Sequence, residues 1–313
     1  MIKVFIDGSA GTTGLRIHER LASCSDIQLL QIDESLRKDN NERKKMINSA
    51  DIAFLCLPDV AAKEAVAMVE NDNTKIIDTS TAHRTALDWS YGFPELSDKH
   101  REKIANAKRL AVPGCHASGV VATVYPLVSG GIMQADYPLC CFSLTGFSGG
   151  GKSMIAEYGD ENHSSLFDSP RQYALTQKHK HMPEITAVCG LAQVPLFSPI
   201  VADYYSGMEV TIQLHACLLQ KKQTVDNLYE YYKNYYKNQK LITVQLASDG
   251  YYNGFIASND MSGKDSMKII IGGNDDRITV TALFDNLGKG ASGAAIQGMN
   301  IMSGVDETTG LLI

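Results

Sequence analysis

Residues 2–6, IKVFI, form a short apolar run that leads into GSAGTTG and then into a helical pattern carried by Leu15, Ile17 and Leu21. A strand that turns on glycines into a helix opens a βαβ unit, and the rest of the chain must accommodate that beginning. The alternation continues. IQLLQI, DIAFLCLP and TKIIDT predict further strands, VAAKEAVAMVE predicts a helix between the last two, and RLAVPG predicts another strand. Apolar strands separated by helix-length segments pair in parallel and are covered on both faces. The first third is therefore expected to be a Rossmann-type parallel sheet of the α/β class.

After about residue 130 the pattern changes. YPLCCFSLT, GMEVTIQLHA, LITVQLA, SMKIIIGG and RITVTALF read as alternating strands, with one clear helix in TVDNLYEYYKNYYKN. This predicts an α+β domain with a mostly antiparallel sheet. The tyrosine-rich helix is expected to be a packing or oligomer face. The last stretch, NLGKGASGAAIQGMNIMSG, returns to a small-residue helical pattern that can pack back on the first domain. A length of 313 residues suits two domains.

The net charge of −6 and the lack of any basic run speak against nucleic-acid binding. No apolar run is long enough for a membrane span. The first residues read directly into a strand, so no signal peptide is expected. Seven scattered cysteines without a Cys-x-x-Cys pair suit a reducing, cytoplasmic setting better than a disulfide framework or a zinc ribbon.

Gly8, Gly11 and Gly14 in the first turn let backbone N–H groups approach a pyrophosphate at a helix N-terminus, although their spacing is G-x-x-G-x-x-G. The charges after the second strand point both ways. Asp33 or Glu34 suits the ribose hydroxyl of NAD, and Arg37 with Lys38 suits the 2′-phosphate of NADP. In LAVPGCHASGVV, Cys115 stands where a strand hands over to a helix, a position that favours a thiolate and marks it as a nucleophile. QKHKHMPEI supplies His179, His181 and Glu184, with imidazoles suited to general acid–base work. As a zinc site that cluster is incomplete, and no metal is expected. Arg84, in DTSTAHR at the end of the fourth strand, has the planar fork to hold a phosphate or a carboxylate. GFSGGGKS at 146–153 satisfies the P-loop pattern, with Lys152 as its lysine and Asp285 as a conceivable Walker-B acid. A P-loop normally opens a parallel domain, whereas this one lies where the chain turns antiparallel.

Taken in order, GSAGTTG, DTSTAHR, YGFPEL, VPGC, GFSGGGKS, KHKHMPEI and DNLGKGASGAAIQGMNIM resemble the N-acetyl-gamma-glutamyl-phosphate reductases, relatives of aspartate-semialdehyde dehydrogenase, in their short bacterial form. The resemblance runs nearly end to end. It implies a Rossmann domain over 1–115 completed by a C-terminal helix within 288–313, and a catalytic and dimerisation domain over 116–287. It implies NADP(H) as cofactor, held by Gly8, Ser9, Gly11, Thr12, Thr13, Gly14, Arg37, Lys38 and Asn286. Cys115 becomes the nucleophile and His179 the acid–base, while Arg84, Ser148, Tyr173, His181 and Glu184 contact the substrate. The implied partners are a small acyl phosphate and inorganic phosphate, in a homodimer or homotetramer. Related reductases of aspartyl or aminoadipyl phosphate share this chemistry. One departure stands beside the nucleophile: Tyr-Pro follows the cysteine in longer members, and His116-Ala117 follows it here.

Overall fold

The computed structural model describes residues 1–249 and 254–313. The chain divides into two compact units, Met1–Gly114 with Ala291–Leu311, and Cys115–Gly290 with Leu312–Ile313.

The first unit contains β1 (Ile2–Asp7), α1 (Thr12–Leu21), β2 (Ile27–Leu30), α2 (Asn40–Ser49), β3 (Ile52–Leu55), α3 (Asp59–Ala67), β4 (Lys75–Asp78), β5 (Ser90–Tyr91), α4 (Asp98–Ala105) and β6 (Arg109–Ala111). Its strands pair in parallel in the order β2-β1-β3-β4-β6-β5. Strand side chains alternate between faces, so Val4, Ile6 and Phe54 pack with Ile17 and Leu21 of α1 on one side. Phe5, Ala53 and Leu55 pack with Ile47 of α2 and Ala65 of α3 on the other. Full burial of one such Phe, Ile or Leu is worth about 1.5–3 kcal/mol, which is why the strands are apolar at nearly every position. The first face also receives Ala294, Ala295 and Met299 from the helix Gly293–Met302 near the chain end. The buried stripe of α1 is Gly14, Ile17 and Leu21, whereas Leu15 faces outward. Helix α2 is absent from the expectation because NNERKKMINS is mostly polar; Asp39 caps it through Asn41 and Glu42 N–H groups.

The second unit runs α5 (Cys115–Ser129), β7 (Cys140–Gly146), α6 (Gly151–Tyr158), β8 (Arg171–Gln172), α7 (Met182–Cys189), β9 (Leu196–Ala202), β10 (Met208–His215), α8 (Val225–Tyr235), β11 (Ile242–Leu246), β12 (Met267–Gly273) and β13 (Arg277–Phe284). The helix Gly293–Met302 of the first unit is then α9. The sheet order is β11-β12-β13-β10-β7-β9-β8, with β11–β12 and β7–β9 parallel and the other pairs antiparallel. Strand β9 has no counterpart in the expectation because Pro199 lies in its middle, where proline argues against a strand. The structure accommodates it because the Pro199 carbonyl faces β8 and accepts the Tyr173 N–H at 3.0 Å. The missing donor therefore falls on the sheet edge, beyond the two residues of β8.

Helix α5 lies buried on β10 and β13. A side chain at Gly119 would collide with Val210 and Phe284, so glycine permits the close approach. Pro126 inside α5 has no N–H to offer the Ala122 carbonyl, and the Tyr236 hydroxyl donates to it instead at 2.7 Å. Tyr231 donates to the Pro126 carbonyl at 2.6 Å, and Tyr232 to that of Thr123. The tyrosines of α8 and the residue after it thus clamp the helix that begins at Cys115.

Candidate active site

In the first unit, β1 ends in a turn built on two glycines. Gly8 has φ +88°, and a side chain there would collide with the Cys56 carbonyl after β3. A side chain at Gly14 would collide with the Gly8 carbonyl. The turn closes through Gly11 N–H donating to Gly8 O at 3.0 Å. No side chain caps α1, so Ser9, Thr12 and Thr13 lie at a helix N-terminus whose first N–H groups suit an anion. Strand β1 stands between β2 and β3, the point where strand order reverses and ligands bind in such sheets. A cleft of about 180 Å³ opens beside Ser9, lined also by Leu30, Gln31 and Ile32 at the end of β2.

The charges after β2 occupy different situations. Asp33 accepts from the Ser35 N–H at 2.8 Å and from its hydroxyl at 2.5 Å. Arg37 and Lys38 are exposed, with Arg37 3.1 Å from Glu34. Arg84 is buried and donates from Nε to the Val112 carbonyl at 2.9 Å and from Nη2 to that of Thr79 at 3.0 Å. Its guanidinium therefore braces the backbone ahead of Pro113 as well as offering a charge.

In the second unit, Cys115 is the first residue of α5 and partly exposed. Gly290 packs beside it: a side chain at Gly290 would stand 3.1 Å from the Cys115 Cβ. Around α5's first turn gather His116, Tyr173, His179 and His181. The His116 ring lies 5.1 Å from that of His179, 5.7 Å from His181 and 6.1 Å from Tyr173. The His179 and His181 rings are 4.7 Å apart, edge to face. Among the described residues no three His, Cys, Asp or Glu groups are disposed to hold a metal ion. Glu184 is buried in the first turn of α7, two residues after Met182, and α7 packs on α5. That helix begins at Met182, with Pro183 in its first turn, where an N–H would have no partner within the helix.

Two histidines are held neutral. Burial, then the charges of His179 and Lys180, push His116 down to about 3, and burial followed by Lys180 takes His179 to about 4. The His181 N–H donates to His179 Nδ1 at 3.2 Å. With Nδ1 accepting, the neutral ring carries its proton on Nε2 and presents a donor. Stability should follow these shifts. Below its ordinary range the unfolded chain takes up a proton at each histidine that the folded chain refuses, so stability falls as pH drops from about 6.5 toward 4. Each fully refused proton steepens that fall by about 1.4 kcal/mol per pH unit. Urea unfolding between pH 6 and 4.5 should show His116→Gln shallower by about one proton, and an unchanged slope would count against a neutral His116.

Ser148 and Asn286, expected for substrate and cofactor, meet each other. Asn286 donates from Nδ2 to Ser148 Oγ at 3.0 Å and accepts the Gly207 N–H at 2.9 Å, with both side chains buried. The GFSGGGKS turn is thereby fixed from within its own unit, and Lys152 is exposed on α6 rather than folded over the glycines. Asp285 accepts from the Ser206 hydroxyl at 3.0 Å and from the Leu287 N–H at 2.6 Å. This is not how a P-loop and its acid are arranged, and the nucleotide-hydrolysis reading is set aside. His116, noted in the sequence only as a departure beside the nucleophile, packs with the other rings here, and Ser143, which no local pattern marks, lies 2.8 Å from its Nδ1.

Residues 3–107 match the family model described as semialdehyde dehydrogenase, NAD binding domain, and 115–286 match semialdehyde dehydrogenase, dimerisation domain. The chain is 43% identical over 321 aligned residues to "N-acetyl-gamma-glutamyl-phosphate reductase 2" of Nostoc sp., with 99% of each covered. It is 42% identical to the N-acetyl-gamma-glutamyl-phosphate reductase of Brucella ovis, over 96% of this chain and 99% of that one. Among solved structures, aspartate semialdehyde dehydrogenase II of Vibrio cholerae aligns with a TM-score of 0.72 at 16% identity, covering 97% of this chain and 98% of that one. The aspartate semialdehyde dehydrogenase of Francisella tularensis aligns at 0.71 and 13% identity, covering 97% and 100%, a likeness of fold. The chain belongs to the semialdehyde dehydrogenase family, among its N-acetyl-gamma-glutamyl-phosphate reductases.

Proposed function

We propose that the chain catalyses the reversible, NADPH-dependent reduction of N-acetyl-L-glutamyl 5-phosphate to N-acetyl-L-glutamate 5-semialdehyde and phosphate, a step of arginine biosynthesis. The observation that carries this reading is a partly exposed cysteine at the start of a helix whose next residue, His116, packs with Tyr173, His179 and His181, in a chain 43% identical to a reductase of that name.

The Cys115 thiolate attacks the acyl carbon, a C–S bond forms, and phosphate leaves with the bonding pair of the broken C–O bond. The chemistry a bound NADPH supplies is a hydride for the acyl carbon. Gly8, Ser9, Gly11, Thr12, Thr13 and Gly14 would hold its pyrophosphate, since only glycine fits the turn at Gly8 and Gly14. The thiohemiacetal then collapses, breaking the C–S bond to leave aldehyde and thiolate. Negative charge gathers on the former carbonyl oxygen in both steps. The Nε2–H of a neutral His179 suits that oxygen, which narrows the expected acid–base role to hydrogen-bond donation at a developing oxyanion. His181, Glu184, Ser148 and Arg84 serve the substrate, and Arg84 does so while bracing Val112.

Arg37 and Lys38 favour NADPH, because Asp33 is engaged by Ser35. The value of kcat/KM for NADPH should exceed that for NADH, and Arg37→Ala should narrow the gap; equal values in the unaltered enzyme would count against this selectivity. Asn286 supports the Ser148 turn in this reading, and one amide hydrogen and one carbonyl lone pair remain for its expected part in holding cofactor. Among the described residues no helix is long and apolar enough to cross a membrane, and all seven cysteines are outside disulfides. These features support a cytoplasmic enzyme, and the matched dimerisation domain supports a homodimer or homotetramer. Phosphate-dependent reduction of NADP with N-acetylglutamate semialdehyde, set beside aspartate semialdehyde, tests the assignment. Preference for the second substrate would move the chain to the related reductases.

A further inference from the structure

His116 follows the nucleophile and is almost wholly buried, yet both ring nitrogens are engaged. Nδ1 lies 2.8 Å from Ser143 Oγ, and Nε2 lies 2.7 Å from the Tyr173 hydroxyl. A neutral imidazole has one donor and one acceptor, so the chain Ser143–His116–Tyr173 can run in only two directions. In one, the serine donates to Nδ1, Nε2–H donates to the tyrosine oxygen, and the phenol proton is left to point elsewhere. In the other, the tyrosine donates to Nε2, Nδ1–H donates to the serine, and the serine proton must find another acceptor.

The surroundings of the two hydroxyls choose between these directions. Ser143 has no exposed surface in the interior strand β7, and among the described residues His116 is its hydrogen-bond partner. Its proton therefore goes to Nδ1, since a buried hydroxyl is rarely left with its donor unmade. Tyr173 is only partly buried, and its phenol sits at the ring of His116, the residue after Cys115; burial first, and then the charge of a Cys115 thiolate, raise it above the ordinary phenol range. A phenol proton released from the histidine consequently has the Cys115 side of the site to point into.

We propose that His116 is a positioning residue whose Nε2–H tautomer, set by Ser143, holds the Tyr173 oxygen and turns the phenol proton toward the acyl oxygen carried on Cys115. Tyr173 then becomes a second donor to the oxyanion beside His179. The inference rests on the reductase reading for its consequence, but the tautomer itself does not.

The tautomer can be read directly by nitrogen NMR on the full chain labelled with ¹⁵N-histidine, with the His116 signals assigned by their loss in His116→Gln. At pH 7 Nε2 should carry the proton and Nδ1 should be the bare, accepting nitrogen; a proton on Nδ1 would overturn the proposal. The consequence is read by a cycle of Ser143→Ala, Tyr173→Phe and the double variant, with melting curves to show that each is folded. Tyr173→Phe should lower kcat by about 10²-fold, as expected for one oxyanion donor. Ser143→Ala, a change at a fully buried hydroxyl, should lower kcat by about tenfold when Tyr173 is present and by less than about twofold when it is Phe, because it acts through that phenol. KM should change little. Equal losses in both backgrounds, or no loss, would reduce the network to packing and sink the proposal. An unaltered enzyme inactive toward acyl phosphates would instead refute the reductase reading, and the NMR result would still decide the tautomer.

Discussion

Cys115→Ala should abolish turnover, with kcat falling on the order of 10⁴-fold or more, as when the nucleophile of a covalent mechanism is removed. The other cysteines cannot substitute. Burial pushes Cys56 and Cys141 up to about 12, and Cys189 is raised as well, so none of the three supplies a thiolate at neutral pH. Of the rest, Cys24 belongs to the first unit, and in the second Cys140 opens β7 with its thiol on the Pro138 carbonyl while Cys217 is exposed; none stands, as Cys115 does, at the start of a helix. Iodoacetamide should therefore inactivate the enzyme through one residue, and substrate should protect it. A Cys115→Ala variant that kept more than a few per cent of its activity would contradict the covalent route.

His179→Asn should lower kcat by about 10²–10⁴-fold, the range for a lost general acid–base or oxyanion donor. Acylation of Cys115 should persist, because the thiolate draws on the start of α5 rather than on the imidazole. His181→Asn should act mainly through KM. The structure supplies the reason for the asymmetry: His181 orients His179 through its backbone N–H, which the substitution leaves in place. The pH profile separates the two roles further. The contribution of His179 itself should persist until pH falls toward about 4, where the ring gains a proton on Nδ1 and loses the bond to His181. Steady-state kinetics on both variants decide the matter. A large kcat loss in His181→Asn beside a near-normal His179→Asn would reverse the assignment.

The parallel sheet was legible because each strand is apolar on both faces, and the glycine turn because Gly8 and Gly14 tolerate no side chain. Strand β9 was not, since Pro199 is permitted only by an edge that ends after two residues of β8. Nor was the role of the tyrosine helix, which depends on a carbonyl left open by Pro126 on another helix. At the site, Cys115, His179 and His181 could be picked out from local pattern. The hydrogen bonds of His116 beside them could not. They reach a serine 27 positions away and a tyrosine 57 positions away, brought together by the β7–β9 pairing and the loop after β8. The P-loop pattern failed for a related reason: phosphate binding needs free amides, and this turn is tied to Tyr204, Tyr205 and Asn286.

The claim on which the rest depends is that the acyl group resides on Cys115 between loss of phosphate and arrival of hydride. Mixing the enzyme with N-acetylglutamyl phosphate in the absence of NADPH, quenching in acid and digesting for mass spectrometry reads this directly. One N-acetylglutamyl group per chain should appear on the peptide containing Cys115, and adding NADPH before the quench should discharge it as semialdehyde. An enzyme that turned over with NADPH but gave no adduct, or carried it on another residue, would contradict the account.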